Sequence, residues 1–267
     1  MDDLRYVLCD LDGVVWLARR AIPGAPEAIE RLRRSGRRVL FVTNNSMSPI
    51  AEQEAALAAI GVPATDDVVT SAQAAAHLVA AGERVLVCGG EGVVEAVLAR
   101  GAEAIASSSV GDGSRHGGFD AVIVGLHRHF DYAGLQAANA AIRAGARFIA
   151  TNDDVTFPTP DGPTPGAGAI VAAVRAVSET EPVIAGKPHA PMAALVAERC
   201  GPDFGAEQAI VVGDRGSTDG EFAASIGCRF ALVRSGVTLP GGEPDAPVPV
   251  AIDADDLAAV TRIILDG

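Results

Sequence analysis

Short apolar runs alternate with longer amphipathic stretches along this chain, and few folds absorb that pattern. Residues 6–9, 39–43, 85–87, 121–124, 148–150 and 210–212 read as strands buried on both faces. Helical periodicity fills the gaps at residues 25–35, 49–60, 92–100, 132–144, 168–177 and 190–200. A strand buried on both faces needs helices above and below it. Helices between successive strands also impose right-handed crossovers and a mostly parallel sheet. The expectation is an α/β fold with a doubly wound, Rossmann-like parallel sheet. Hydrophobic residues make up 49% of the 267, enough for a sizeable core and far from a disordered composition. Only 4% are aromatic, so that core must be built from Ala, Val, Leu and Ile. Ser48 before Pro49 fits a helix start, and Gly36, Gly61, Gly101 and Gly145 fit helix stops.

Two joints, near residues 80–83 and 181–184, bracket strand–helix units of their own. The reading is a core domain in two parts, residues 1–81 and 185–267, with a large α/β cap domain inserted as residues 82–184. The core sheet resumes near Ile210. Residues 240–249, rich in Pro, Gly and acidic groups, read as a surface loop, and so do the glycine-rich residues 111–118.

The formal charge of −13 argues against a nucleic-acid partner. Arg31, Arg33, Arg34, Arg37 and Arg38 read as a solvated helix face. No apolar run approaches the ~20 residues of a membrane span, and the acidic start leads directly into a strand, without the pattern of a signal peptide. Cys9, Cys88, Cys200 and Cys228 are scattered and read as reduced thiols, so the expected compartment is the cytoplasm.

In an open parallel sheet, ligands bind at the carboxyl ends of the strands. The first strand ends in Asp10-Leu11-Asp12-Gly13 and the second in Thr43-Asn44-Asn45-Ser46. Gly186-Lys187-Pro188 precedes a helix, and Gly213-Asp214-Arg215 ends a later strand, with Asp219 beyond it. Each segment alone is an ordinary turn or cap. Together they gather carboxylates, a lysine, a hydroxyl and amides on one edge. Two carboxylates about 4 Å apart repel by about 4 kcal/mol at an effective dielectric of 20. A Mg²⁺ ion, which prefers hard oxygen ligands, removes that cost. Lys187 and backbone N–H groups then suit an anion.

These segments resemble the four motifs of the haloacid dehalogenase superfamily of phosphohydrolases. Residues 22–25, 124–126, 150–154 and 165–170 further resemble its C2-capped, NagD-like and p-nitrophenyl phosphatase-like branch. The resemblance runs from Tyr6 to about Val237. It implies a Mg²⁺-dependent phosphomonoester hydrolase acting on a small phosphorylated metabolite through an aspartyl-phosphate. The substrate classes implied are sugar phosphates, glycerol phosphate, phosphoglycolate or pyridoxal phosphate, and a homodimer is compatible with the branch. Carried over residue by residue, Asp10 would be the nucleophile and Asp12 the general acid and then base. Thr43 and the Asn44 backbone would hold phosphate, and Lys187 would neutralise Asp10 and the phosphoryl group. Asp214 would bind the metal with Asp10 and the Asp12 carbonyl, and Asp219 would stand behind them. Phe157, in the insert, matches a substrate-contacting position. One departure is visible: residues 215–220 read Arg-Gly-Ser-Thr-Asp-Gly, with Ser217 in place of an acidic residue and Gly220 in place of Ile. A phospho-receiver domain would share the Asp, Thr and Lys, but Asp12 and the insert argue for the hydrolase.

Overall fold

The computed structural model of the chain describes residues 1, 3–110, 118–159 and 162–267. Most of the glycine-rich loop, with His116, lies outside the described residues. From the N-terminal side, β1 (Tyr6–Cys9) leads into a small hairpin, β2 (Trp16–Leu17) and β3 (Arg20–Ala21). There follow α1 (Ala25–Arg34), β4 (Arg38–Thr43), α2 (Ile50–Ala59), β5 (Val68–Thr70) and α3 (Ser71–Ala76). Next come β6 (Arg84–Cys88), α4 (Glu91–Ala99), β7 (Glu103–Ala106), β8 (Ala121–Val124), α5 (Tyr132–Arg143) and β9 (Arg147–Ala150). A second hairpin, β10 (Thr156–Thr159) and β11 (Gly162–Pro165), precedes α6 (Ala167–Ser178), β12 (Val183–Ile184) and α7 (Ala190–Cys200). The remainder carries β13 (Ala209–Gly213), α8 (Glu221–Ile226), β14 (Arg229–Val233), β15 (Ile252–Ala254) and α9 (Leu257–Asp266).

Two compact units result. The first holds Met1–Thr43, Ala51–Val69 and Lys187–Gly267; the second holds Asn44–Ile50 and Thr70–Gly186. The sequence reading assigns residues 44–50, 70–81 and 185–186 to the core domain, whereas in the structure they cluster with the second unit. The local cause is packing: α3 lies against α4, and Gly92 sits so close to the Ser46 and Ser48 carbonyls that a β-carbon there would clash. Thr43 and Lys187 therefore stand at points where the chain leaves or re-enters the first unit.

The first unit is built on a six-stranded sheet in the order β15-β14-β13-β1-β4-β5. β1 pairs in parallel with β13 on one side and β4 on the other, Cys9 lying opposite Val212 and Phe41. β1 is buried along its whole length. α1 contributes Ala25, Ala28, Ile29 and Leu32 to the core, an i, i+3, i+4, i+7 stripe. Its outer arginines pair with acids, Arg31 with Asp266, Arg33 with Asp67 and Arg34 with Glu30, as a solvated face should. α2 begins at Ile50, one residue later than expected; Pro49 precedes it, where a missing N–H costs the helix nothing.

The second unit has its own sheet, β12-β9-β8-β6-β7, parallel throughout. Leu86, Val122, Val124, Phe148, Ala150 and neighbouring alanines of α5 form its core with Val171 and Val174 of α6. Small alanines let α5 lie close to the sheet, as a chain poor in aromatics requires. The four cysteines are free thiols, three buried and Cys228 half-buried. Among the described residues no helix is long and apolar enough to cross a membrane.

Candidate active site

In the first sheet the chain runs from β1 to β4 on one side and places β13, β14 and β15 on the other. The β1/β13 boundary is thus a topological switch point, where loops diverge and leave a crevice at the carboxyl edge. Asp10 is the first residue past β1, and its N–H still donates to the Val212 carbonyl at 2.9 Å. Asp214 is the first residue past β13. Thr43, buried, is the last residue of β4. The parallel register thereby brings segments more than 200 positions apart to one edge without any special contact.

Lys187 joins them. It is 2% exposed, and its Nζ donates to Asp10 Oδ1 at 2.7 Å and to Asp219 Oδ1 at 2.6 Å. Burial works against its charge, but the two aspartates outweigh burial and hold the ammonium more firmly protonated than an ordinary lysine. Asp219 sits in a wide π turn, Gly216–Gly220, and its Oδ2 accepts from the Arg215 N–H at 3.3 Å. Asp214 is fixed by the segment after β14: its Oδ2 accepts from Val237 N–H at 2.6 Å. Gly13, at φ 86°, and Gly236 leave the space its carboxylate fills; a β-carbon at either would lie within 2.3 Å of Oδ2. Ser235 ties the same segment back by donating to the Gly13 carbonyl at 2.7 Å.

Asp10, Asp214 and Asp219 offer ligand atoms within 4.8 Å of one another. Three carboxylates against one ammonium leave an excess of negative charge in a buried place. Burial, with Asp219 and Asp214 adding to it and Lys187 opposing, raises the Asp10 carboxyl well above the usual carboxylate range. Asp214 is pushed up to about 7, chiefly by burial and then by Asp219, against the Val237 N–H, Arg215 and Lys187. A hard divalent cation fits this donor set, and Asp10 and Asp214 are the ligands best placed, since Lys187 and Arg215 already occupy Asp219. Asp12 is solvent-exposed. Its crowded surroundings raise its pKa, offset in part by the Trp16 indole and by Lys187 and Arg19.

Of the sequence-predicted residues, the first unit thus gathers Asp10, Lys187 and Asp219 into one hydrogen-bonded cluster with Asp214 beside it, and Asp12 and Thr43 lie at the same strand ends. Asn44 and Phe157 belong to the second unit. Asn44 donates from Nδ2 to Asp154 Oδ2 at 2.9 Å, and its carbonyl accepts from Ser71 Oγ and Asn152 Nδ2. Its backbone N–H is the group the resemblance assigned to phosphate. Phe157 lies on β10, half-buried, opposite Thr164 of β11. Sequence reasoning missed Ser235, which acts through its hydroxyl, and Gly236 and Val237, which act through the backbone.

The chain is similar to several known proteins. Residues 7–103 match a family model described as haloacid dehalogenase-like hydrolase, and residues 184–260 match a second, HAD-hydrolase-like model. The chain is 41% identical to a D-glycerol 3-phosphate phosphatase of Mycobacterium tuberculosis over 86% of its own length, and spans 63% of that protein. It is 36% identical to human chronophin, covering 87% of this chain and 81% of the relative. Among solved structures, a glycerol phosphate phosphatase of Mycobacterium tuberculosis in complex with magnesium superposes with a TM-score of 0.80 at 36% identity, over 97% of this chain and 76% of the other.

The raised Asp214 carboxyl yields a prediction. A carboxyl whose pKa folding raises disfavours the metal-free fold as pH climbs from the unfolded value of 3.8 towards about 7. A cation binds the ionised form and removes that cost. The rise in Tm on adding saturating Mg²⁺ to EDTA-treated protein should therefore be larger at about pH 8 than at about pH 5.5. Equal rises at both values would contradict the electrostatics given above.

Proposed function

This chain belongs to the haloacid dehalogenase-like hydrolase family, in its C2-capped, NagD-like branch, and on that footing we propose that it is a Mg²⁺-dependent phosphomonoester hydrolase. The single observation that carries the reading is Lys187, buried and hydrogen-bonded to both Asp10 and Asp219, with Asp214 alongside. A structural ion pair would need one carboxylate; three around one lysine suit a site that receives a cation and a phosphoryl group.

Asp10 is the nucleophile. A carboxylate oxygen of Asp10 attacks phosphorus, the ester bond to the leaving alcohol breaks, and Asp12 supplies the proton that alkoxide needs. Water then attacks the aspartyl-phosphate and gives its proton to Asp12; inorganic phosphate departs and the Asp10 carboxylate is restored. Lys187 offsets charge on Asp10 and on the phosphoryl oxygens, and Asp219 holds Lys187 in place. Thr43, with the Asn44 N–H, positions the phosphate. Asp10, Asp214 and the Asp12 carbonyl would hold Mg²⁺, which when bound supplies electrostatic stabilisation of the phosphoryl oxygens.

The substrate proposed is a small phosphorylated metabolite of the sugar phosphate, glycerol phosphate, phosphoglycolate or pyridoxal phosphate type. The likeness to D-glycerol 3-phosphate phosphatase makes glycerol phosphate the first compound to test. The cytoplasm is the compartment proposed, in keeping with free thiols.

Asp10→Asn should abolish turnover, because a carboxamide does not attack phosphorus. Asp12→Asn should lower turnover of alkyl esters by ~10²–10⁴-fold. With p-nitrophenyl phosphate, whose phenolate leaves without a proton, it should give a burst followed by slow turnover. Substantial activity in Asp10→Asn, or Asp12→Asn with neither burst nor leaving-group dependence, would overturn the two assignments.

Phe157 is proposed to select among substrates. Phe157→Ala should then change relative kcat/KM between metabolites while sparing p-nitrophenyl phosphate. A uniform loss with a lower Tm would assign Phe157 to packing alone.

A further inference from the structure

The loop between Asp214 and Asp219 carries Ser217 and Gly220 where the resemblance led one to expect an acid and an isoleucine. The structure shows what fills the two places. Ser217 donates twice to Asp245, from its N–H to Oδ1 at 2.8 Å and from its Oγ to Oδ2 at 2.5 Å. Asp245 lies 28 positions further along, in the Pro- and Gly-rich segment after β14. Gly220 faces the same segment: a β-carbon there would lie 2.5 Å from Val248 Cγ2 and 3.1 Å from Phe230 Cε1. Gly216 faces the same segment less tightly, a β-carbon there lying 3.1 Å from Asp245 Oδ1 and 3.2 Å from Ala246 N and Pro244 Cβ. Three small residues on one face of the π turn thus admit a strap, residues 244–248, that an acid or an isoleucine would displace.

The strap is anchored at both ends. Arg234, just past β14, donates from Nη1 to the Leu239 and Gly242 carbonyls, and from Nε and Nη2 to Asp253. Val237 and Gly236, at the near end of the same segment, are the groups that hold the Asp214 carboxylate. One stretch of chain therefore grips Asp214 directly and, through Asp245, the turn that leads from Asp214 to Asp219. Asp245 itself is outside the carboxylate cluster of Asp10, Asp214 and Asp219. Whatever it does for a cation, it does through Ser217.

We propose that Asp245 is a positioning residue for the metal site, its carboxylate clamping Ser217 so that the Gly216–Gly220 turn holds Asp214 where a divalent cation needs it and keeps Asp219 on Lys187. The proposal rests on the reading of Asp214 as a metal ligand. Partners that orient metal ligands commonly carry 10–100-fold in affinity. Asp245 is exposed and one bond further removed, so about 3- to 10-fold is expected.

Calorimetric titration of the full chain with Mg²⁺ tests this, with p-nitrophenyl phosphate hydrolysis followed in parallel. Asp245→Ala should raise the Mg²⁺ Kd by that factor and shift the Mg²⁺ needed for half-maximal rate equally, with the plateau rate recovering at high Mg²⁺. Asp245→Asn, whose amide can still accept from the Ser217 N–H and donate to its Oγ, should restore most of the affinity. Ser217→Ala should weaken binding as well, and the double variant Ser217→Ala/Asp245→Ala should be no worse than the weaker single one, because the two act as one unit. An unchanged Kd in Asp245→Ala, with or without a lower Tm, would overturn the proposal, and so would additive losses in the double variant. If the unaltered protein binds no Mg²⁺, it is the Asp214 assignment itself that fails.

Discussion

A lysine ammonium buried to 2% exposure is tolerable only if its charge is matched, and Lys187 is matched twice, by Asp10 and by Asp219. That requirement organises the site. The switch point between β1 and β13 brings Asp10 and the Asp214–Asp219 loop to the same edge, and Lys187 re-enters the first unit there. Removing either aspartate would leave a buried charge half-compensated. Removing the lysine would leave three acids facing one another. Burial, together with the excess of carboxylates, raises the Asp10 carboxyl and pushes Asp214 up to about 7. A site that is strained without a cation and relieved with one is poised for metal-assisted chemistry.

The support behind this arrangement is mostly backbone. Val237 N–H, Gly236 and Gly13 make a slot that fits a carboxylate and nothing larger. Such a slot fixes the ligand without adding further charge, which matters where charge is already in excess. The Asp245–Ser217 pair extends the same support to the turn that carries Asp219.

The parallel α/β class, the six long apolar strands and the matching helices were legible because each is long enough for its periodicity to register. The strand-end residues were legible because, in a parallel sheet, sequence position relative to a strand fixes spatial position. Other elements were not: β14 and the ten-residue α9 went unread although both are long and apolar enough, and the smallest elements carry too little pattern. β2, β3 and β12 have two residues each, too few for alternation to register. β10 and β11 carry Pro158, Pro163 and Pro165, which argue against a ladder. α3 is nearly all alanine, with no polar face to reveal a period, so the sequence reading set the domain joint after it rather than before. The pairing of Ser217 with Asp245 joins two loops, and loop contacts leave no periodic trace; only the missing acid hinted that something else stood there.

A nucleophilic Asp10 forms a covalent bond to phosphorus, and that bond can be sought directly. Asp12→Asn protein mixed with Mg²⁺ and p-nitrophenyl phosphate, quenched in acid within the burst and digested, can be mapped by tandem mass spectrometry. The expected result is a phosphoryl group on the peptide containing Asp10, at Asp10 itself, and none when Asp10→Asn is introduced as well. A phosphoryl group on another residue, or burst-phase product with no covalent adduct anywhere, would contradict it.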